Sequence, residues 1–169
     1  PARGGLEALM RNDSVVDRTY TPQDGWAFAQ LTANLQDTEV LLSQSFELTT
    51  LQRLSGRVAF LANDYIDVNG DIYNPPGSYN DRGFVRITGD VVSTLYFRDI
   101  ATVGNYGSTP WDSFAINLGP GSYTLELGVV NVTDDFNSSR LLADAIRVGA
   151  IPEPASWAMM ILGFFGLGA

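Results

Sequence analysis

The residues best placed to do chemistry in this sequence are oxygen donors. Asp64, Asp67, Asn69, Asp71, Asn80 and Asp81 crowd one stretch, NDYIDVNGDIYNPPGSYND over 63–81. Hard cations such as calcium take about six to eight oxygens, and an irregular loop offers carboxylates and backbone carbonyls together. Asp67-Val68-Asn69-Gly70-Asp71 has the D-x-N-x-D opening of a calcium loop. Its glycine stands fourth rather than sixth and no glutamate follows at the twelfth place, so it is not an EF-hand. The competing reading is a polar loop folded by Asx turns. Asp144 is a separate donor that interrupts the apolar run Leu141–Ile146. A carboxylate in a buried strand must be paired, hydrogen-bonded or metal-bound, so Asp144 reads either as a ligand or as a cap on the backbone. The expected metal set is Asp64, Asp67, Asn69, Asp71, Asp81 and Asp144, around a structural calcium.

Aromatic side chains are the second group. Tyr65, Tyr73, Tyr79, Tyr106, Trp26 and Trp111 are candidates for sugar stacking, and Tyr73 and Tyr79 stand out because they lie in the long loop. The competing reading packs them against the domain. Catalysis is the poorest reading. The chain has no His, no Cys and no Lys, which removes the Ser-His-Asp, Cys-His and Ser-Lys arrangements. A carboxylate pair for glycoside hydrolysis would have to come from Glu47 and Glu126; both fit solvent-facing strand positions better. No enzyme is expected.

The elements that must carry these groups are strands. Apolar residues recur at period two in Val40–Thr50, Leu54–Leu61, Trp111–Leu118, Tyr123–Val132 and Leu141–Val148. Shorter candidates are Trp26–Leu31, Gly83–Ile87 and Val91–Phe97. Leu54, Val58 and Phe60 share one face, and Phe114, Ile116 and Leu118 another. Pro75-Pro76-Gly77 and Gly119-Pro120-Gly121 mark turns. Short strands at this spacing read as an antiparallel β-sandwich or barrel. Residues 101–110 read as a Gly/Ser/Asn loop. The domains expected are an N-terminal arm over 1–20, a sandwich over 21–149 and an apolar helix over 150–169.

The net charge of −9 across 169 residues argues against nucleic acid and anionic lipid as partners. The opening PARGGLEALMRND lacks the apolar run of a leader, and the chain reads as a mature or partial product. At the other end, the residues after Pro154 carry no charge. Their helix would rise ~22 Å, short of the ~30 Å hydrocarbon core.

This last stretch resembles the PEP-CTERM sorting signal of Gram-negative bacteria. The resemblance lies in Pro152-Glu153-Pro154, then Ala155-Ser156-Trp157-Ala158-Met159-Met160, then the Gly-rich apolar run. It implies export and processing by an exosortase. The family signal ends in an arginine cluster, and none precedes Ala169 here. Residues 21–148 resemble the jelly-roll domains of choice-of-anchor proteins, through stretches such as Phe60-Leu61-Ala62-Asn63-Asp64-Tyr65, Asn80-Asp81-Arg82-Gly83-Phe84-Val85 and Ser138–Val148. The loop 66–78 is longer than that family's, and Ala145 stands where an Asn is usual.

The expected fold is therefore all-β, an antiparallel jelly-roll-like sandwich followed by a short C-terminal hydrophobic helix. The expected function is that of an exported structural protein of the cell surface or extracellular matrix. Trp157, Met160, Ile161, Phe164 and Phe165 would hold it in a homopolymeric filament or at a membrane. The alternative is a carbohydrate-binding module of the polysaccharide matrix, using Tyr73 and Tyr79.

Overall fold

In the computed structural model, the residues described are 29–33, 35–69, 76–134 and 137–151. The expected arm, the candidate strand start at Trp26, Asp71, Tyr73 and the sorting-signal and helix residues from Pro152 onward lie outside them. Among the described residues, no helix is long and apolar enough to cross a membrane.

Among the described residues, eight strands follow one another: β1 Ala29–Thr32, β2 Glu39–Leu48, β3 Gln52–Leu61, β4 Arg82–Gly89, β5 Ser93–Asp99, β6 Asp112–Leu118, β7 Gly121–Val130 and β8 Arg140–Ala150. A short helix, α1, spans Ile100–Val103. The strands pair β4 with β5, β3 with β6, β2 with β7 and β1 with β8, all antiparallel. That is one long hairpin, folded at the β4–β5 turn. Added pairing of β3 with β8 and β4 with β7 rolls it into two sheets, β1-β8-β3-β6 and β2-β7-β4-β5. This strand order is a jelly roll, and closing the sheets face to face leaves few open edges.

The period-two pattern decides what is buried. Leu54, Val58, Phe60, Phe114, Leu118, Leu141 and Ala143 from the first sheet meet Val85, Ile87, Tyr96, Tyr123, Leu125, Leu127 and Val129 from the second. Each fully buried large aliphatic or aromatic chain contributes about 1.5–3 kcal/mol of transfer free energy. The register of β3 against β8 shifts between Ser55 and Arg57. There β8 carries one residue more than β3, a β-bulge that twists the sheet.

Candidate functional site at the long-loop end

Antiparallel order brings four connections to one end of the sandwich: 33–38, 62–81, 100–111 and 131–139. At the opposite end the strands are joined by 49–51, 90–92 and 119–120. The short connections are turns. The long ones carry far more side chain than the joins require, which is where sandwich domains place function.

Four of the strands run on into this end with an inward-facing polar residue. In β3 the buried series Leu54, Val58, Phe60 continues through Ala62 to Asp64. In β7 the series Leu125, Leu127, Val129 continues to Asn131. Asp81 stands two residues before Gly83 of β4, and Ser139 two before Leu141 of β8. All four are 0 % exposed, so the apolar core is closed at this end by a polar plug.

Asp81 ties the plug together. Its carboxylate accepts the N–H of Val132 at 2.8 Å and of Ser139 at 3.3 Å. Its carbonyl accepts the N–H of Ile100 at 3.1 Å. Burial raises its pKa, against the opposing hydrogen bonds from Ser139 and Val132. Asp64 is less well provided for. One carboxylate oxygen accepts the N–H of Tyr65 at 2.8 Å; the other is buried with no hydrogen-bond partner among the described residues. Burial pushes Asp64 up to about 6, partly offset by the Tyr65 N–H, with Asp134 and Asp81 adding repulsion. Asn131 donates its backbone N–H to Thr38 at 3.2 Å. Its carboxamide, fully buried, bonds through neither atom to any of the described residues.

Just outside the plug stand three tyrosines. The carbonyl of Asp64 accepts the N–H of Tyr106 at 2.8 Å, and the Asn105 carboxamide oxygen accepts that of Ile66 at 3.0 Å. These bonds stitch 62–81 to 100–111. The Tyr65 ring then lies 5.5 Å from Tyr79 and 6.2 Å from Tyr106, tilted by 43° and 34°. Tyr65 is 40 % exposed and Tyr106 61 %; Tyr79 is half-buried beneath. Tyr79 and Tyr106 hold φ at 68° and 54°. The left-handed region costs a residue with a Cβ about 1–2 kcal/mol, and such strain concentrates at ligand sites. Burial and the carboxylates of Asp67 and Asp64 raise the Tyr65 phenol.

Of the residues proposed from sequence as one metal set, the described ones, Asp64, Asp67, Asn69, Asp81 and Asp144, do not all share one place. Asp64 and Asp81 meet in the plug. Asp67 accepts the N–H of Asn69 at 3.0 Å through its side chain and that of Gly77 at 2.7 Å through its carbonyl, which is the Asx-turn arrangement. Asp144 lies within the first sheet, opposite Arg57, and accepts the N–H of Ala145 at 2.6 Å. Ala145 has φ 51°, so Asp144 caps the bulge. Among the described residues, no three carboxylates converge as a ready cation cage. Tyr79 joins the aromatic group, with Tyr65 and Tyr106 as its exposed members. Asn131 is not among the site residues expected from the sequence, although its place two residues after Val129 on the inward face is visible there.

Distant likenesses exist among solved structures. A family 61 carbohydrate-binding module, TmCBM61, solved with β-1,4-galactotriose, aligns over 73 % of this chain and 70 % of its own at 10 % identity, with a TM-score of 0.43. The family 35 module of Cellvibrio japonicus Abf62 aligns over 83 % and 89 % at 18 % identity, with a TM-score of 0.35. No protein-family model matches the sequence, and neither does any curated protein. The jelly-roll assignment stands on the strand order of this chain itself.

The outer face of the second sheet holds a different constellation. Leu41, Gly128, Phe84 and Phe97 stand opposite one another across β2, β7, β4 and β5. A Cβ at Gly128 would overlap the Phe84 ring, so glycine is what lets that ring lie on the sheet. Arg86 covers Phe84 at 4.7 Å and pairs with Glu126 and Glu39. Glu126 is thus engaged by a cation, and Glu47 sits further along β2, opposite Ser122.

Proposed function

We propose that this domain is a carbohydrate-binding module that takes a neutral glycan at its long-loop end, without catalysis. The observation that carries the reading is the tyrosine group. Three aromatic rings are gathered from two loops, Tyr65 and Tyr79 from 62–81 and Tyr106 from 100–111, two of them on strained backbone, and two are left facing solvent. A packed core residue needs neither the strain nor the exposure. Aromatic faces stack on the apolar faces of sugar rings, while phenol and amide groups bond the hydroxyls. Asn63, Asn105 and Asn137, on connections at the same end, are exposed. Asp64, Asp67 and Asp134 nearby, with a net charge of −9, favour neutral over acidic glycans. An exported matrix setting suits this function. The filament reading rests on residues 152–169 and has no support among the described residues.

A glycan array followed by calorimetry with the best oligosaccharide tests it. Tyr106→Ala and Tyr65→Ala are each expected to weaken binding about tenfold or more, since stacked aromatics at binding sites are worth about 1–3 kcal/mol on truncation. Their melting temperatures should stay near that of the parent. Undiminished affinity in both variants would refute the site, and loss in Phe97→Ala alone would move it to the sheet face.

A further inference from the structure

The polar plug holds more oxygen than its hydrogen bonds use. Asp64 keeps one carboxylate oxygen, and Asn131 its whole carboxamide, fully buried and without a hydrogen-bond partner among the described residues. Leaving such groups unsatisfied is destabilising, more so for a charge, and native structures rarely tolerate it. Both sit where inward-facing strand positions converge. Asp81, bonded to Val132 beside Asn131, is close enough to repel Asp64. Asp134 also acts on both carboxyl groups, and the Asn137 side chain hydrogen-bonds the Asp64 carboxylate, which partly lowers its pKa. The surroundings are rich in oxygen, carry negative charge, and contain neither thiol nor imidazole, since the chain has none.

We propose that Asp64 and Asn131 bind a hard divalent cation, calcium, at the buried end of the sandwich, beneath the tyrosines. One carboxylate oxygen and one carboxamide oxygen would be the protein's anchoring ligands. Backbone carbonyls of the adjoining loops are of the same hard type. With so few charged ligands the affinity is modest, on the order of 0.1–1 mM, as in extracellular calcium modules. The cation neutralises a buried charge that the Tyr65 N–H and the Asn137 side chain offset only in part. It also fixes the backbone of Asp64, which precedes Tyr65 and holds the N–H of Tyr106. This site differs from the acidic loop of Asp67 and Asn69, whose groups are engaged in their own turn.

The test needs no glycan, so it stands or falls apart from the carbohydrate reading. The full chain is stripped with chelator and titrated with calcium chloride, with heat and melting temperature as readouts. Calcium is expected to bind and to raise the melting temperature by several degrees. Asp64→Asn should weaken calcium affinity at least tenfold, while the metal-free variant melts at or above the metal-free parent because a buried charge is gone. Asn131→Asp supplies a second carboxylate and should tighten calcium affinity at least fivefold. No calcium effect on the parent would overturn the proposal. So would unchanged affinity in Asp64→Asn, or weaker binding in Asn131→Asp.

Discussion

Gly89 shows how much a single residue can decide. It ends β4 at φ 109°, and a Cβ there would overlap the backbone carbonyl of Ser122 on β7. That carbonyl accepts the N–H of Asp90, while the Asp90 carboxylate accepts the N–H of Ser122 at 2.9 Å. No flexible side chain is available to give way. Gly89→Ala is therefore expected to cost about 2 kcal/mol or more, from left-handed strain plus a displaced strand end. Urea denaturation would measure it, and a midpoint unchanged from the parent would contradict the close approach. Asp144 makes the complementary case. Its sequence position admitted two readings, ligand or cap, because a buried carboxylate must be satisfied by one or the other. The structure adds the bulge, where Ala145 at φ 51° donates its N–H to the Asp144 carboxylate, the contact a cap would make.

At the scale of elements, alternation made the strands legible. Val40–Thr50 was expected and Glu39–Leu48 forms; Leu54–Leu61 was expected and Gln52–Leu61 forms. The inward faces of β3 and β6 also fall as the pattern requires. Helix α1 was missed, because one turn inside a Gly/Ser/Asn segment has no hydrophobic period. Its signal was a cap instead. Asp99 accepts the N–H of Thr102 at 3.0 Å and Thr102 accepts that of Asp99 at 3.1 Å, a reciprocal capping box. Burial tends to raise Asp99, but hydrogen bonds from Thr102 and Asn80 outweigh it and hold its pKa below the usual 3.8. A carboxyl lowered on folding adds stability above its unfolded pKa and loses it as pH falls through the folded value. Asp99→Ala should thus cost about 1–2 kcal/mol at neutral pH. The gap between variant and parent should close in acid, below pH 3.8. Thermal melts across that range would show it; a gap that persists there would mean the carboxylate charge is not what caps α1.

The whole molecule explains why the fold was readable and the site only partly so. Each strand announces itself within ten residues or so, and antiparallel sandwiches are the common way to bury such strands. The long-loop end, by contrast, is assembled from separate connections. Asp64, Asn131 and Tyr106 carry no mutual signal in the sequence, since the roll of the hairpin is what brings them together. Tyr79 was found for its place in the long loop. Tyr65 and Tyr106 were indistinguishable from other aromatics until the hydrogen bond from the Tyr106 N–H to Asp64 was known.

The central claim is that the long-loop end binds a glycan, and its most direct measurement is a nuclear magnetic resonance titration of the full chain. The ligand is the oligosaccharide that ranks highest on the array. The largest amide shift changes are expected at Tyr65, Ile66, Tyr106 and Gly107, on the two stitched loops. Changes centred on Leu41, Phe84, Phe97 and Gly128 would place the glycan on the sheet face instead, and no saturable change with any glycan on the array would contradict carbohydrate binding itself.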